Sequence, residues 1–252
     1  MKKRVSLWSL VVLYAACIPG GCHPPSALTL PPSPCPSTRS GSANATLLFD
    51  HDTCKAALVQ IIHAAGDGKE HAVSFGKDRH GNIIRSAVSN GAANTAPLPF
   101  VAHRFADLHN HPENKPPSSG DLYHLIDQAT AYDSSYQKFI LLPDGTAYAL
   151  RITDPEAAKN FNTRYPRVAG ITNTAKGVTY QPTFPRALVN ELNRIKGWGE
   201  ATEEAAIVFM LQKYRTGIAL LKRDQDGQFR MLHTTLHTRK DGVQAYTVAP
   251  CP

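Results

Sequence analysis

Hydrophobic and polar positions change period several times along the chain, and each change marks an element. From Asp52 to His63, apolar residues fall at Ala57, Leu58, Ile61 and Ile62, a helical stripe; Asp52 or Thr53 suits its cap, and Gly66 and Gly68 end it. His63 lies near the apolar side and reads as a packing residue. Glu70 to Lys77 and Asn82 to Val88 are strand-like and flank the turn Asp78-Arg79-His80-Gly81, which predicts a hairpin opened by Glu70, with His71 and His80 exposed. Residues 89–102, rich in Asn, Ala and Pro, read as a loop that borders a cleft. Phe105 to Leu108 suits a buried strand that ends at His109 and His111, and Pro112, which cannot donate to a ladder, stops it. After a Pro-rich loop, Leu122, Leu125, Ile126 and Ala129 recur at helical spacing, which places a helix from Asp121 to about Tyr132.

Beyond that helix, two more hairpins stand out. Lys138–Leu142 and Thr146–Leu150 flank Pro143-Asp144-Gly145, and Gly217–Lys222 and Phe229–His233 flank Asp224-Gln225-Asp226-Gly227. Asp154–Phe161, Pro185–Ile195 and Glu200–Tyr214 read as helices. Helices and strands alternate along the chain, so the fold class is α/β (α+β). With 252 residues, 42% of them hydrophobic, the chain can bury one ordinary core rather than two large ones.

Charge and cysteines refine the picture at the ends. Lys2, Lys3 and Arg4 precede the apolar run Val5–Ala16, which suits an export signal and is too short for a membrane span. Cys17 and Cys22 each follow small residues in the manner of a bacterial lipobox. Residues 1–22 thus read as a lipoprotein-type signal peptide, and the Pro-, Ser- and Thr-rich stretch 23–45 as a tether that holds a domain, 46–252, off a membrane. The net charge of +7 contains no run of five basic residues, which argues against a specific nucleic-acid partner. No Cys-x-x-Cys pair occurs, so a thiolate zinc site is not expected. A Cys54–Cys251 disulfide is the expected bridge, with Cys35 as the competing partner for Cys251.

The chemistry concentrates at residues 103–121. On a strand, His109 and His111 point to one face, roughly 6.5–7 Å apart along the backbone, close enough to lean onto one metal ion. Asp121, in the first turn of the following helix, adds a carboxylate oxygen and leaves a fourth position open. His124, one helical turn beyond Asp121, borders the same place. His233 and His237, four apart on a strand, read as structural.

The order His109-x-His111-Pro112 … Ser118-x-x-Asp121 resembles the JAMM motif of the JAB/MPN metalloprotease superfamily, in its bacterial His-Asn-His-Pro wording. Six residues separate His111 from Ser118, one fewer than the family pattern, so either Ser118 or Ser119 could hold the serine position. The resemblance covers about residues 50–152 and implies a mixed β-sheet flanked by helices, a JAB/MPN-like (cytidine-deaminase-like) core, with 153–252 as an extension. It implies Zn2+ held by His109, His111 and Asp121. It also implies a glutamate from an early strand as general acid/base, and Glu70 is the only glutamate before the motif. Ser118 would donate a hydrogen bond to the developing oxyanion. The implied activity is hydrolysis of amide bonds through a zinc-activated water, with a peptide or protein substrate, by a membrane-anchored, exported metallopeptidase or isopeptidase. The alternative is a catalytically inactive JAB/MPN-like binding module at the cell envelope.

Overall fold

The computed structural model describes residues 35, 39–174, 177–197 and 199–251. The expected signal segment 1–22 and most of the tether lie outside them. The first helix, α1 (Arg39–Phe49), begins within the stretch expected to be tether up to residue 45. Ala45, Leu48 and Phe49, at i, i+3 and i+4, bury one side of it, and the Thr46 hydroxyl accepts from Phe229 N at 2.9 Å. That apolar stripe makes it part of the folded domain. Helix α2 (Asp52–Ala64) is capped by His51, whose Nδ1 accepts from Thr53 N, rather than by Asp52 or Thr53. It buries Cys54, Ala57 and Ile61, a narrower stripe than expected, and leaves Ile62 and His63 exposed.

Eleven strands and four more helices follow: β1 (His71–Lys77), β2 (Ile83–Arg85), β3 (Ser89–Asn90), β4 (Ala106–Asn110), α3 (Ser119–Ala131), β5 (Gln137–Leu141), β6 (Ala147–Ile152), α4 (Pro155–Arg164), β7 (Val168–Thr174), β8 (Gly177–Thr183), α5 (Arg186–Gly197), α6 (Glu203–Lys213), β9 (Ile218–Arg223), β10 (Phe229–Thr238) and β11 (Gln244–Pro250). Strands β11, β10, β9, β6, β5, β4, β1 and β2 lie in that order in one sheet, and β3 also pairs with β1. Only β4 and β5 run parallel within it, joined by α3 as the crossover; the other pairings are antiparallel. The sheet is therefore mixed and flanked by helices, in keeping with the expected α+β class. All three expected hairpins form, and Gly145 and Gly227 take the positive φ that their turns require.

The two faces of the sheet carry separate cores. Val73, Phe75, Leu108, Phe139 and Leu141 pack under α1 and α2. Ile140, Tyr148 and Leu150 pack under α3, whose Leu122, Leu125 and Ile126 are buried there, and α4, α5 and α6 extend that layer. Strands β3, β7, β8 and β11 are absent from the sequence reading, which made 89–102 a loop. The Gly, Thr and Asn content of 168–183 hides a hairpin that pairs with itself.

The disulfide joins Cys251 to Cys35, not to Cys54. Cys54 faces the core from α2, and burial pushes its thiol up to about 12, so it is an inert packing residue.

Candidate metal centre

Strand register sets the site before any side chain is considered. Ala72 pairs with His109 and Ser74 with Asp107 across β1 and β4, so these residues share one face of the sheet. Counting back by two from Ala72 puts Glu70 on that face as well, level with His111. Val73, Phe75 and Leu108 point the other way, into the α2 core. Glu70 immediately precedes β1 rather than opening it.

Helix α3 brings the third ligand. Ser118 is its N-cap and Asp121 its N3 residue, and the two form a reciprocal capping box. Ser118 N and Ser118 Oγ both donate to Asp121 Oδ2 at 2.8 Å. That fixes the carboxylate over the end of β4. Asp121 Oδ1 lies 3.1 Å from His109 Nε2, and Oδ2 lies 3.4 Å from His111 Nε2. The donor atoms of His109, His111 and Asp121 all fall within 4.8 Å of one another, and the three side chains are nearly inaccessible to solvent.

This group could hold a metal ion, and the surrounding bonds prepare it to. His111 Nδ1 is 2.9 Å from the Lys115 carbonyl, which can only accept, so Nδ1 donates there and Nε2 is the nitrogen turned toward Asp121. Two imidazole nitrogens and one carboxylate oxygen are a donor set compatible with zinc.

Behind His109 lies a buried network that the sequence reading lacks. Asp107 accepts from Lys138 Nζ at 2.9 Å and from the Tyr136 hydroxyl at 2.8 Å, and its Oδ1 stands 3.9 Å from His109 Nδ1. Burial would by itself raise the Asp107 carboxyl; Lys138 and His109 outweigh it and hold the group ionised below its usual range. Burial and Lys138 both oppose a charge on His109, but the Asp121 and Asp107 carboxylates prevail and raise it to about 9. Asp121 is held well below the ordinary carboxylate range, because His109 and then His111 overcome the effect of burial.

Glu70 is buried, and that burial raises its pKa above the ordinary 4.5 against the opposing pull of His109 and His111. Its backbone is clamped from two sides. Asn110, between the two histidines, accepts from His71 N through Oδ1 at 2.8 Å and donates to Lys69 O through Nδ2 at 2.9 Å. On the far side, Glu70 N donates to Ala92 O and Gly91 N donates to Glu70 O. A Cβ on Gly91 would sit 2.6 Å from Glu70 O and 2.1 Å from Thr95 O, so only glycine lets the 91–95 loop press this closely. Asn110 was legible as the middle of His-Asn-His; Gly91 carried no such signal.

A cleft of about 130 Å³ opens over the group, lined by Glu70, His109, His111, Ser118, Asp121, His124 and Lys138 and roofed in part by Asn94, Thr95, Ala96 and Leu98 of the expected bordering loop. No family model matches the chain, and no curated protein sequence matches it significantly. The site must therefore be read from its own residues.

Several expected positions change meaning. Ser119 turns away from the cleft, toward Thr183 Oγ1 and Phe184 N, and so ties α3 to β8. Ser118 is the serine at the cleft, but its single hydroxyl proton goes to Asp121. His71 is buried, not exposed, with Nε2 2.9 Å from Asp67 Oδ1. His80 is exposed as expected. Cys35, His233 and Cys251 also converge, but the two sulfurs are bonded to each other and offer no thiolate.

Proposed function

We propose that this chain is an exported zinc-dependent hydrolase of amide bonds, a metallopeptidase or isopeptidase of JAB/MPN type. The observation that carries the reading is the convergence of His109, His111 and Asp121 in a cleft that also contains the buried, backbone-clamped Glu70. His109, His111 and Asp121 would hold the ion, with one coordination position left for solvent or substrate. When bound, zinc supplies Lewis acidity and lowers the pKa of a coordinated water toward about 7.

Glu70 is the proton carrier: its carboxylate accepts a proton from the attacking water and delivers it to the leaving amine. A pKa raised by burial brings the group closer to the operating range for both halves of that transfer. Ser118 orients Asp121 in the resting arrangement. Rotation of its O–H away from Asp121 Oδ2 would free it to donate to a developing oxyanion. The Lys138–Asp107 pair lies behind His109 and acts on it through charge, with Asp107 Oδ1 3.9 Å from Nδ1, and Asn110 fixes the backbone on either side of Glu70. The substrate is a peptide or protein, and residues 1–22 direct the chain to the envelope, where a lipid-modified cysteine anchors it.

Glu70→Gln tests the reading. It keeps shape and burial but cannot carry the proton, so zinc should stay at one per chain while cleavage of a peptide library falls by about two orders of magnitude or more. Equal cleavage by wild type and Glu70→Gln, or none by zinc-loaded wild type, would leave the inactive binding module as the reading.

A further inference from the structure

A larger cavity, about 870 Å³, lies at the opposite end of the sheet from His109. Lys77 at the end of β1, Gln137 at the start of β5, Arg151 near the end of β6 and Tyr132 just past α3 border it, together with α1. The cavity wraps the sheet end. Arg104 reaches it from the α3 side and Arg151 from the α1 side.

The charges of this cavity do not balance. Arg104 is 8% exposed, and its fork donates only to neutral groups, Gln128 Oε1 at 3.1 Å and the Pro99 carbonyl at 2.7 Å. Its Nε is buried with no acceptor. The Nε of Arg151 is likewise buried with no acceptor, and neither guanidinium has a carboxylate partner among the described residues. Burial lowers the pKa of Arg151, as it does for a cation without a counter-charge. A Cβ on Gly41 would meet Arg151 Nη1 at 1.5 Å, so α1 lies directly against that guanidinium. Lys77 adds a third cation, over the Phe105 ring. Asp133 is the one carboxylate in the lining, and it already accepts from Ser135 N at 2.7 Å. The preceding chain cannot neutralise the excess, because residues 1–49 contain no Asp or Glu.

Arg104, buried and held only by neutral groups and the Tyr132 ring, and Arg151, half-buried with no acceptor for its buried Nε among the described residues, face one cavity, and two cations partly withdrawn from water without a counter-charge point to an anion from outside the chain. We propose that this cavity binds a phosphate-bearing ligand through Arg104, Arg151 and Lys77. Guanidinium forks match the planar geometry of phosphate oxygens. Three cations against one carboxylate leave an excess of two, which suits a dianionic phosphomonoester. The volume falls within the usual range for small-molecule sites, and Leu47 and Phe105 offer apolar wall to the organic part. The phosphate could belong to a free small molecule or to a lipid headgroup. The inference is independent of the chemistry at His109.

The test is thermal unfolding of the full chain in inorganic phosphate against chloride at equal ionic strength, for wild type and Arg151→Gln. Phosphate should raise the wild-type midpoint beyond the chloride control. Arg151→Gln should raise the midpoint in the absence of phosphate, since it removes a half-buried charge that has no carboxylate partner among the described residues, and should weaken phosphate binding by about tenfold or more. A merely structural arginine would lower the midpoint on substitution. Identical wild-type midpoints in phosphate and chloride, or an unchanged phosphate response in Arg151→Gln, would overturn the proposal, and the first comparison needs no variant. Flotation with vesicles distinguishes the sources. Preference for phosphatidic acid over phosphatidylcholine, lost in Arg151→Gln, assigns a lipid headgroup; no such preference, with the phosphate response intact, assigns a small phosphorylated molecule.

Discussion

The two ends of the central sheet are built from opposite charge imbalances. At the carboxyl end of β4, Glu70, Asp107 and Asp121 face one ammonium, Lys138, and two imidazoles. At the amino end, Lys77, Arg104 and Arg151 face one carboxylate, Asp133. Counted with both imidazoles neutral, the form that binds a metal, the first end has an excess of two negative charges; the second has an excess of two positive ones. The first also has its ligand atoms prearranged by hydrogen bonds, through Ser118 to Asp121 and through Lys115 to His111. The second has two buried guanidinium Nε atoms, of Arg104 and Arg151, with no acceptor among the described residues. A sheet end is where strand termini, loops and helix ends meet, so it can collect charged groups without placing them inside a packed layer. The difference between the ends is in what each could hold: a metal cation at one and, as proposed above, a phosphate dianion at the other.

The largest effect should come from removing Lys138, the one lysine or arginine among the described residues lining the His109 cleft. Lys138→Met leaves Asp107 buried without its charge partner, and loss of one member of a buried pair costs about 3–5 kcal/mol. If the end is completed by a dication, zinc should restore part of that stability. Denaturant unfolding with and without zinc measures this, and equal destabilisation in both conditions would show that Lys138 serves packing alone.

A smaller effect sharpens the same contrast through protons. His109 is raised to about 9 between Asp121 and Asp107 in the metal-free chain. A histidine raised in this way contributes stability fully present below its unfolded pKa of about 6.5 and lost as pH rises through about 9. Metal binding has the opposite sign, because the ion needs the lone pair that the proton occupies. Apparent zinc affinity should therefore rise by about tenfold per pH unit between about 7 and 9, with close to one proton released per ion at pH 7. Calorimetry in buffers of different ionisation enthalpy reads the proton count. No proton release would mean that His109 is not a ligand.

The legible part of this molecule is the part in which period and punctuation agree. His109 and His111 were readable because a buried strand with period two ends in proline, and α3 because its apolar spacing begins just after Ser118-x-x-Asp121. The hairpins around Gly145 and Gly227 were readable from their turn residues. What was hidden depends on partners distant in sequence. Asp107 lies two residues before His109 on the same face, yet its importance depends on Lys138, which is contributed by the neighbouring parallel strand. Helix α1 was masked by the Pro- and Ser-rich stretch before it, although Ala45, Leu48 and Phe49 already carried a helical stripe. The bridge to Cys35 could not be told from one to Cys54 without knowing that α2 turns Cys54 into the core. Arg104 and Arg151 gave no signal at all, since only the fold brings them to one cavity.

Metal content of the folded domain tests the central claim most directly. Wild-type protein purified with zinc present should contain one zinc per chain by elemental analysis, and Asp121→Ala, which removes the oxygen donor between His109 and His111, should contain none while keeping its secondary structure. Wild-type protein without metal after zinc-replete purification, or zinc retained at one per chain in Asp121→Ala, would contradict a metal centre at His109, His111 and Asp121.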